Sequence, residues 1–292
     1  MFEQKSICIY CIEVLLLPGV FINKKKNNEV YFRSSITVFS RHISLGSYES
    51  EEKAHRAYMA AHVLLKDLTC APGDYLSRAE YAQTIPFDKF ICLINLRDNK
   101  VYFSTPIYIM KNFFRYYLEP DRFMTFDIDD LFYYARHRIQ RRGGRLFTAD
   151  YGMQVTLSTR YGIRPYAVKG RDYEFINGDE LDYRYENIRI ISRYTGVIPR
   201  YAKKAGTKTD TTRDLKYKVK IHFKGNYSVG DFDDESTAAI AYNKAADHIK
   251  KCFPSKNYAQ NFIEDLPARE YARLYTQIDI GSFEESFDSR YG

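Results

Sequence analysis

The hydrophobic pattern near the N-terminus predicts a small sheet followed by a helix. Residues 31–38 alternate between apolar and polar side chains, with Ile36 and Val38 on one face, which is the period of a half-buried strand. A turn leads to a second short strand at 42–46. A helix is predicted to begin after Ser50, because serine is a favourable N-cap and two acidic residues follow it in the first turn.

The same pattern returns near the C-terminus. Residues 217–223 alternate again, a turn leads to a strand at 227–230, and a helix is predicted to follow Asp234. From the second strand onward the two copies align without gaps, and the aligned pairs are Gly46 with Gly230, Glu51 with Glu235, Ala54 with Ala238, Ala57 with Ala241, Tyr58 with Tyr242 and Ala61 with Ala245. Matches at one fixed spacing indicate an internal repeat of one supersecondary unit.

Between and after the two copies the pattern is weaker. Pro72-Gly73 is interpreted as a domain boundary. In chain order, the pattern then predicts a hairpin of 90–95 and 100–104, helices over 107–118 and 129–139, and a strand over 151–157. After the second copy, 268–278 is predicted to be helical, and the acidic last residues are expected to form a frayed end.

The apolar run at 7–17 is predicted to be a buried strand. Glu13 interrupts it, no small-residue cleavage site follows, and it is shorter than the roughly 20 apolar residues that span a bilayer. The five scattered cysteines indicate a reducing compartment, and we interpret Cys8 and Cys11 as buried thiols rather than a metal or redox pair. A cytoplasmic protein without a membrane segment is therefore expected.

Positive charge is concentrated in one segment of the chain. The formal net charge is +7, and residues 196–230 alone contain nine Lys or Arg against two acids. The charges of the other segments nearly cancel, so the field is local. A basic segment of this kind beside an alternating strand favours binding to the phosphates of a nucleic acid.

Both copies resemble the Apetala/ERF-type DNA-binding domain. The matching features are a Gly-Val opening, a basic loop, the alternating strand, a glycine with an aromatic residue two positions on, and a helix with the pattern Ala-x-x-Ala-Tyr. The resemblance implies a three-stranded antiparallel sheet packed on one helix, with the outer face of the sheet in the major groove of double-stranded DNA.

The resemblance also implies which residues contact DNA. In the C-terminal copy the sheet would present Lys218, Lys220, Asn226 and Ser228, with Arg200, Lys203, Lys204, Lys208 and Lys216 near the phosphates. In the N-terminal copy the corresponding residues are Arg33, Ser35, His42 and Ser44, with Lys24, Lys25 and Lys26 behind them.

The stretch 170–191, between the copies, has a second resemblance. An acidic residue, an Asn-Gly turn, further acids and a late asparagine follow one another in an order similar to the core of HNH-type homing endonucleases, which are ββα-metal nucleases. The resemblance implies metal ligands at Glu174 and Asn187 and a general base at the position of Phe175. A phenyl ring cannot accept a proton, and 141–200 contains no histidine, so we interpret the site as catalytically inactive.

These features predict an α+β protein in which two three-stranded antiparallel sheet-plus-helix modules flank a degenerate ββα-metal domain. The expected domains are an N-terminal ERF-like module at 1–71, an HNH-like domain at 72–195, a C-terminal ERF-like DNA-binding module at 196–266, and a helix with an acidic tail at 267–292.

The leading hypothesis is a catalytically inactive, HNH-derived protein that binds double-stranded DNA, either sequence-specifically or guided by DNA structure. It would serve as a regulator or accessory factor of a phage or mobile element, and no cofactor is expected for that activity. One alternative is an active metal-dependent nickase that holds Mg²⁺ with Glu174 and Asn187. Another is a phage-type inhibitor that binds a protein through its many tyrosines.

Overall fold

The fold is α+β and divides into two compact units, which are described separately. A computed structural model describes residues 16–150, 153–165, 167–202, 214–264 and 266–291. Over these residues the chain forms eight α-helices and several small antiparallel sheets. The described residues of 16–141, 148–154 and 181–184 belong to the first unit, and those of 142–147, 155–180 and 185–291 to the second.

Part of the N-terminal region lies outside this description. Most of the strand predicted at 7–17, including Cys8 and Cys11, is not among the described residues. Within the ranges given above, no helix combines the length and the apolar character needed to cross a membrane.

The first unit begins with a three-stranded sheet and a helix, here called the N-terminal module. Its elements are β1 (Val20–Lys24), β2 (Val30–Val38), β3 (Arg41–Tyr48) and α1 (Glu51–Leu64), with β2 in the centre of an antiparallel sheet. The strands predicted at 31–38 and 42–46 are confirmed. The Ser50 hydroxyl accepts the N–H of Lys53 at 3.2 Å, so the predicted helix start is confirmed as well.

The core of the N-terminal module continues past Pro72 and Gly73. Ile36 and Leu45 of the sheet belong to one buried cluster with Phe90 and Ile94. Beyond the 3₁₀-helix Pro72–Asp74, the further elements of this unit are α2 (Ala79–Ala82), α3 (Phe87–Asn99), β4 (Ile107–Ile109), β5 (Phe113–Glu119) and β6 (Arg122–Asp127).

Two predictions for this part of the chain are wrong. The hairpin predicted from 90–95 and 100–104 does not form: 90–95 lies within the helix α3, in which every residue from Phe90 to Arg97 is buried, and 100–104 follows α3 without regular structure. The helix predicted over 107–118 is instead the antiparallel pair β4–β5, in which Ile107 faces Tyr116. Short apolar runs do not distinguish a buried helix from a buried strand, which explains both errors.

The helix predicted over 129–139 is shorter than expected. A 3₁₀-helix at Ile128–Asp130 leads into α4 (Leu131–Arg136), and Ile139 already belongs to a strand. That strand is part of a three-stranded sheet formed by β7 (Ile139–Arg142), β8 (Arg145–Asp150) and β9 (Met153–Thr156), and α5 (Leu157–Arg160) follows. The strand predicted over 151–157 is confirmed at Met153–Thr156, while Tyr151 lies outside the described residues.

The second unit contains a short central hairpin. It consists of β10 (Tyr173–Phe175) and β11 (Ile188–Ile190), which pair antiparallel, with a 3₁₀-helix at Tyr185–Asn187 before the second strand. Residues 191–196, all of them described, form bends and a turn that lead to the next strand. The helix of a ββα arrangement therefore does not follow β11.

The second unit also contains the C-terminal module, which has the same order of elements as the N-terminal one. Its elements are β12 (Val197–Ala202), β13 (Asp214–His222), β14 (Asn226–Phe232) and α6 (Glu235–Cys252), with β13 in the centre of the antiparallel sheet. The side chains of Ala238, Ala241 and Ala245 are fully buried on α6, so the helix lies close to the sheet.

Two helices follow the C-terminal module. The helix predicted over 268–278 is confirmed as α7 (Ala268–Gln277). The frayed acidic end is wrong, because the last described residues form α8 (Gly281–Tyr291). Phe283 and Phe287 of α8 are buried in the same core as Tyr227 and Ile249, and this packing holds the acidic segment in a helix.

Candidate nucleic-acid interface

The outer face of the C-terminal sheet carries a row of basic side chains on its central strand. Val219 and Ile221 of β13 are buried against α6. Because successive side chains of a strand point to opposite faces, Lys218, Lys220 and His222 lie on the other face of the sheet. Alternation in the sequence thus places two of the predicted DNA contacts side by side.

The pairing of β13 with its neighbours brings the other predicted residues to this face. Lys220 lies opposite Ser228 of β14, and His222 lies opposite Asn226. The His222 Nδ1 atom is 3.1 Å from the Asn226 side-chain oxygen, so the two side chains orient each other. Lys218, Lys220, Asn226 and Ser228 therefore share one surface, here called the basic face.

Arg200 and Lys216 extend the basic face along β12 and β13. They are directly paired in the sheet, and both are exposed. Lys216 forms an ion pair with Asp233 at 2.7 Å, and Asp231 lies opposite Lys218 on β14. Acidic side chains thus limit the positive charge at one margin of the surface. Lys203, Lys204 and Lys208, the predicted phosphate contacts of the loop, lie outside the described residues.

The outer face of the N-terminal sheet is less basic and more covered. Arg33 is exposed on β2, but Ser35 is only 6% exposed. In the sheet register Phe21 and His42 occupy opposite corners around Ser35, and their ring centroids are 6.1 Å apart in an edge-on contact. We infer that these two rings cover Ser35. Ser44, which pairs with Ser35, is half-buried.

The lysines predicted behind this face lie at the end of β1, where Lys24 is the last residue, and in the turn that follows, which contains Lys25 and Lys26. Lys24, Lys25 and Lys26 are all exposed. Lys25 forms an ion pair with Glu29 at 3.0 Å, within the same turn. An exposed pair of this kind contributes little to stability, so Lys25 remains accessible to a phosphate.

Both modules fix the start of their first strand by the same contacts. The N–H of Ser35 donates to the Gly19 carbonyl at 3.0 Å, and the N–H of Lys220 donates to the Gly196 carbonyl at 2.8 Å. Both glycines have positive φ, and a Cβ atom on either would lie within 3 Å of a tyrosine ring of the packed helix, Tyr58 or Tyr242. Burial raises the pKa of Tyr242 to about 12, so its hydroxyl stays neutral.

The residues that resemble nuclease metal ligands have other partners in the central hairpin. Glu174 forms an ion pair with Arg189, which is directly opposite it on β11. The side-chain oxygen of Asn187 accepts the N–H of Asn177 at 2.8 Å, and its amide donates to the Asp179 carbonyl at 3.4 Å. Asn187 is 4% exposed and holds the Asn-Gly turn closed.

Neighbouring acidic residues of the stretch are engaged in the same way. Asp172 accepts the N–H of Val168 at 2.8 Å and pairs with Arg171 at 2.7 Å, and it is buried. Phe175, at the position of the general base, is 7% exposed and packs edge-on against Tyr173. The position that the resemblance assigns to the general base is therefore occupied by a packed aromatic ring.

His222 also lies on the basic face, although it is not among the residues that the family resemblance predicts to contact DNA. Its signal was present, because His222 continues the alternation of Lys218 and Lys220 along the same strand. The contact between the rings of Phe21 and His42 left no signal in the sequence, since it joins residues of β1 and β3, the two outer strands of the sheet.

No protein-family model, curated protein or solved structure matches this chain. The partner of the basic face is therefore inferred from its own geometry and charge.

Proposed function

We propose that this chain binds double-stranded DNA through the basic face of the C-terminal module. The observation that supports this is the alignment of Lys218 and Lys220 on the central strand, with Arg200 and Lys216 beside them on the same side. Lysine and arginine side chains in a row neutralise successive phosphates, and this supplies most of the affinity of a protein for DNA.

The same face also offers groups that read base edges. A two-stranded ribbon fits the major groove, where β13 and β14 would present Asn226, Ser228 and His222 next to the lysines. Asparagine and serine side chains both donate and accept hydrogen bonds, so they match the donor and acceptor patterns of bases. Binding through phosphates with base contacts from β14 is the mode that this arrangement supports best.

We further propose that the chain binds DNA without cleaving it. The support comes from the central hairpin, where Arg189 pairs with Glu174 and the side chain of Asn187 closes a turn. With Phe175 at the base position, the site lacks the histidine that serves as general base in the nucleases it resembles. The pattern that resembles an HNH-type endonuclease suggests descent from such an enzyme, and a regulator or accessory factor of a phage or mobile element fits that descent.

Fluorescence anisotropy of duplex DNA with the full chain, over a range of salt concentrations, tests the proposed binding. We expect log K to fall linearly with log salt, by about 0.9 for each phosphate neutralised. Changing Lys218 and Lys220 together to Glu is expected to abolish binding. Incubation of the same protein with supercoiled plasmid and Mg²⁺ or Mn²⁺ tests the absence of cleavage, and we expect the plasmid to stay intact.

A matched control makes the same change in charge away from the basic face. Lys250 and Lys256 are exposed, on α6 and the segment after it, and changing both to Glu is expected to leave binding nearly unchanged. Equal losses in the two double variants would contradict a role for the basic face. Nicking of the plasmid that disappears in Glu174→Ala would contradict the inactive hairpin and favour a metal-dependent nickase.

A further inference from the structure

Four side chains of types that can ligate a metal lie where α8 packs on α6. His248 and Cys252 are one turn apart on α6, and Glu284 and Asp288 are one turn apart on α8, so each pair projects from one side of its helix. One ligand atom from each of His248, Cys252 and Asp288 lies within 4.8 Å of the other two. The cluster thus combines a nitrogen, a sulfur and an oxygen ligand.

The imidazole of His248 is oriented by contacts on every side. Its Nε2 atom is 2.8 Å from a carboxylate oxygen of Asp288, and its Nδ1 atom is 3.4 Å from a carboxylate oxygen of Glu284. The rings of Phe283 and Phe287 contact it edge-on, with centroids 6.1 and 5.9 Å away. Only 19% of the His248 side chain is exposed, so its two nitrogens keep their directions.

We propose that this cluster is a Zn²⁺ site with His248 Nε2, the Cys252 thiolate and an Asp288 carboxylate oxygen as ligands. A ligand set of imidazole, thiolate and carboxylate suits Zn²⁺ rather than Mg²⁺ or Ca²⁺, which take oxygen ligands. Glu284 is the carboxylate nearest the other imidazole nitrogen, at 3.4 Å, and in the proposed site it would accept that N–H, an arrangement common around zinc-bound histidines. A water molecule completes the four ligands.

The size of the cluster is compatible with the ion. Zinc–ligand bonds of about 2.0–2.3 Å in a tetrahedral site separate the ligand atoms by roughly 3.3–3.8 Å. The present separations bracket that range, from 2.8 Å between His248 and Asp288 up to 4.8 Å across the cluster. Cys252 and Asp288 are exposed, so rotation of their side chains brings the atoms to the required spacing.

A bound ion would fasten the last helix to the C-terminal module. Phe283 and Phe287 of α8 complete the core beside Tyr227, on the side of the sheet opposite to the basic face. An ion that binds only the folded state stabilises it by mass action. The site is independent of the proposed DNA binding, since none of its ligands belongs to the basic face.

Cobalt(II) is the probe that tests the site, because a thiolate ligand gives Co²⁺ a charge-transfer band in the near ultraviolet. The full chain is used without a histidine tag and with Cys8→Ser and Cys11→Ser, since those two cysteines form a separate Cys-x-x-Cys pair. We expect one Co²⁺ per chain, displaced by Zn²⁺, and a higher melting temperature with Zn²⁺. Cys252→Ser is expected to remove the band while circular dichroism shows an intact fold.

Two carboxylate variants separate binding from packing. Glu284→Gln is expected to weaken Zn²⁺ binding by about 10–100-fold, as for other residues that orient a metal-bound histidine. Glu285→Gln, an exposed neighbour, is the matched control and should not change the affinity. The proposal is overturned if no charge-transfer band forms, if the band persists in Cys252→Ser, or if Glu284→Gln and Glu285→Gln bind Zn²⁺ alike.

Discussion

The N-terminal and C-terminal modules share the skeleton of their sheets and differ on the outer face. In both, a glycine of positive φ starts the first strand against a tyrosine of the helix, and a Ser or Asp side chain caps that helix. On the outer face, Arg33 and Ser35 of the first module occupy the register positions of Lys218 and Lys220 in the second. The skeleton is thus constant while the charge of the surface changes.

The comparison of the two modules separates the inner face of the sheet, which the fold needs, from the outer face, which can vary. The inner face of each sheet buries its apolar side chains against one helix and forms the core. Residues on the outer face contribute little to that core, since an antiparallel sheet is stable with one face in water. Charge can therefore change between the modules without loss of the fold, and a surface can gain or lose affinity for phosphates.

The largest expected effect concerns the shared glycine. Gly196→Ala would place a Cβ atom against both the Lys220 carbonyl of the central strand and the Tyr242 ring, at a positive φ. We expect a loss of about 2–3 kcal/mol from strain and overpacking. For Gly19→Ala the Cβ atom would lie within 3 Å of ring carbons of Tyr58, also at a positive φ, so we expect a loss of similar size.

Hydrogen exchange of the amides in β13 measures the loss of stability in Gly196→Ala, and exchange of the amides in β2 measures the loss in Gly19→Ala. Gly225→Ala is the control, because a Cβ atom there meets nothing within 4 Å and its φ is not positive. It should leave the protection of β13 unchanged. If Gly196→Ala lowered the protection of β13 no more than Gly225→Ala, the close approach of Gly196 to the Tyr242 ring would not be what holds the start of β12 in place.

The sequence predicted the modules well because their signals are local. Alternation in 31–38 and 217–223 reports which face of a strand is buried, and a cap with acidic residues marks a helix start. The segment 90–97 was misread because it is buried all round and shows no period. The guanidinium of Arg97 in this helix donates to the Cys70 carbonyl at 2.7 Å. The two residues are 27 positions apart in the sequence, so no local pattern reports this contact.

The candidate interface was predictable to the extent that it lies on single strands. Lys218 and Lys220 follow from alternation alone. The ion pair of Lys216 with Asp233 and the contact of Phe21 with His42 arise from strand pairing, which no single segment specifies. The cluster of Cys252 and Asp288 likewise depends on how α8 packs against α6.

An intermediate effect is expected from matched charge reversals on the two outer faces. Lys218→Glu should weaken duplex DNA binding roughly tenfold and lower the salt slope by about 1, as for a lysine that contacts phosphate. Arg33→Glu, at the equivalent position, should change affinity less than about threefold, because the outer face of the N-terminal sheet carries fewer basic residues. Fluorescence anisotropy at several salt concentrations measures both. Equal losses would mean that both faces contact DNA.

The smallest expected effect concerns the first acidic residue of each helix. Glu51 accepts the N–H of Leu17 at 2.6 Å, whereas Glu235 accepts the N–H of Arg193 and also pairs with its guanidinium at 3.0 Å. Replacement by Gln keeps an acceptor oxygen but removes the charge, which costs about 0.5 kcal/mol at a helix N-terminus. Glu235→Gln should cost up to roughly 0.5 kcal/mol more through its ion pair with Arg193, whose side chain is exposed. Hydrogen exchange in α1 and α6 measures the difference, which should shrink at high salt because salt screens the exposed Arg193 end of the pair. A difference that persists at high salt would show that Arg193 is held by packing rather than by charge.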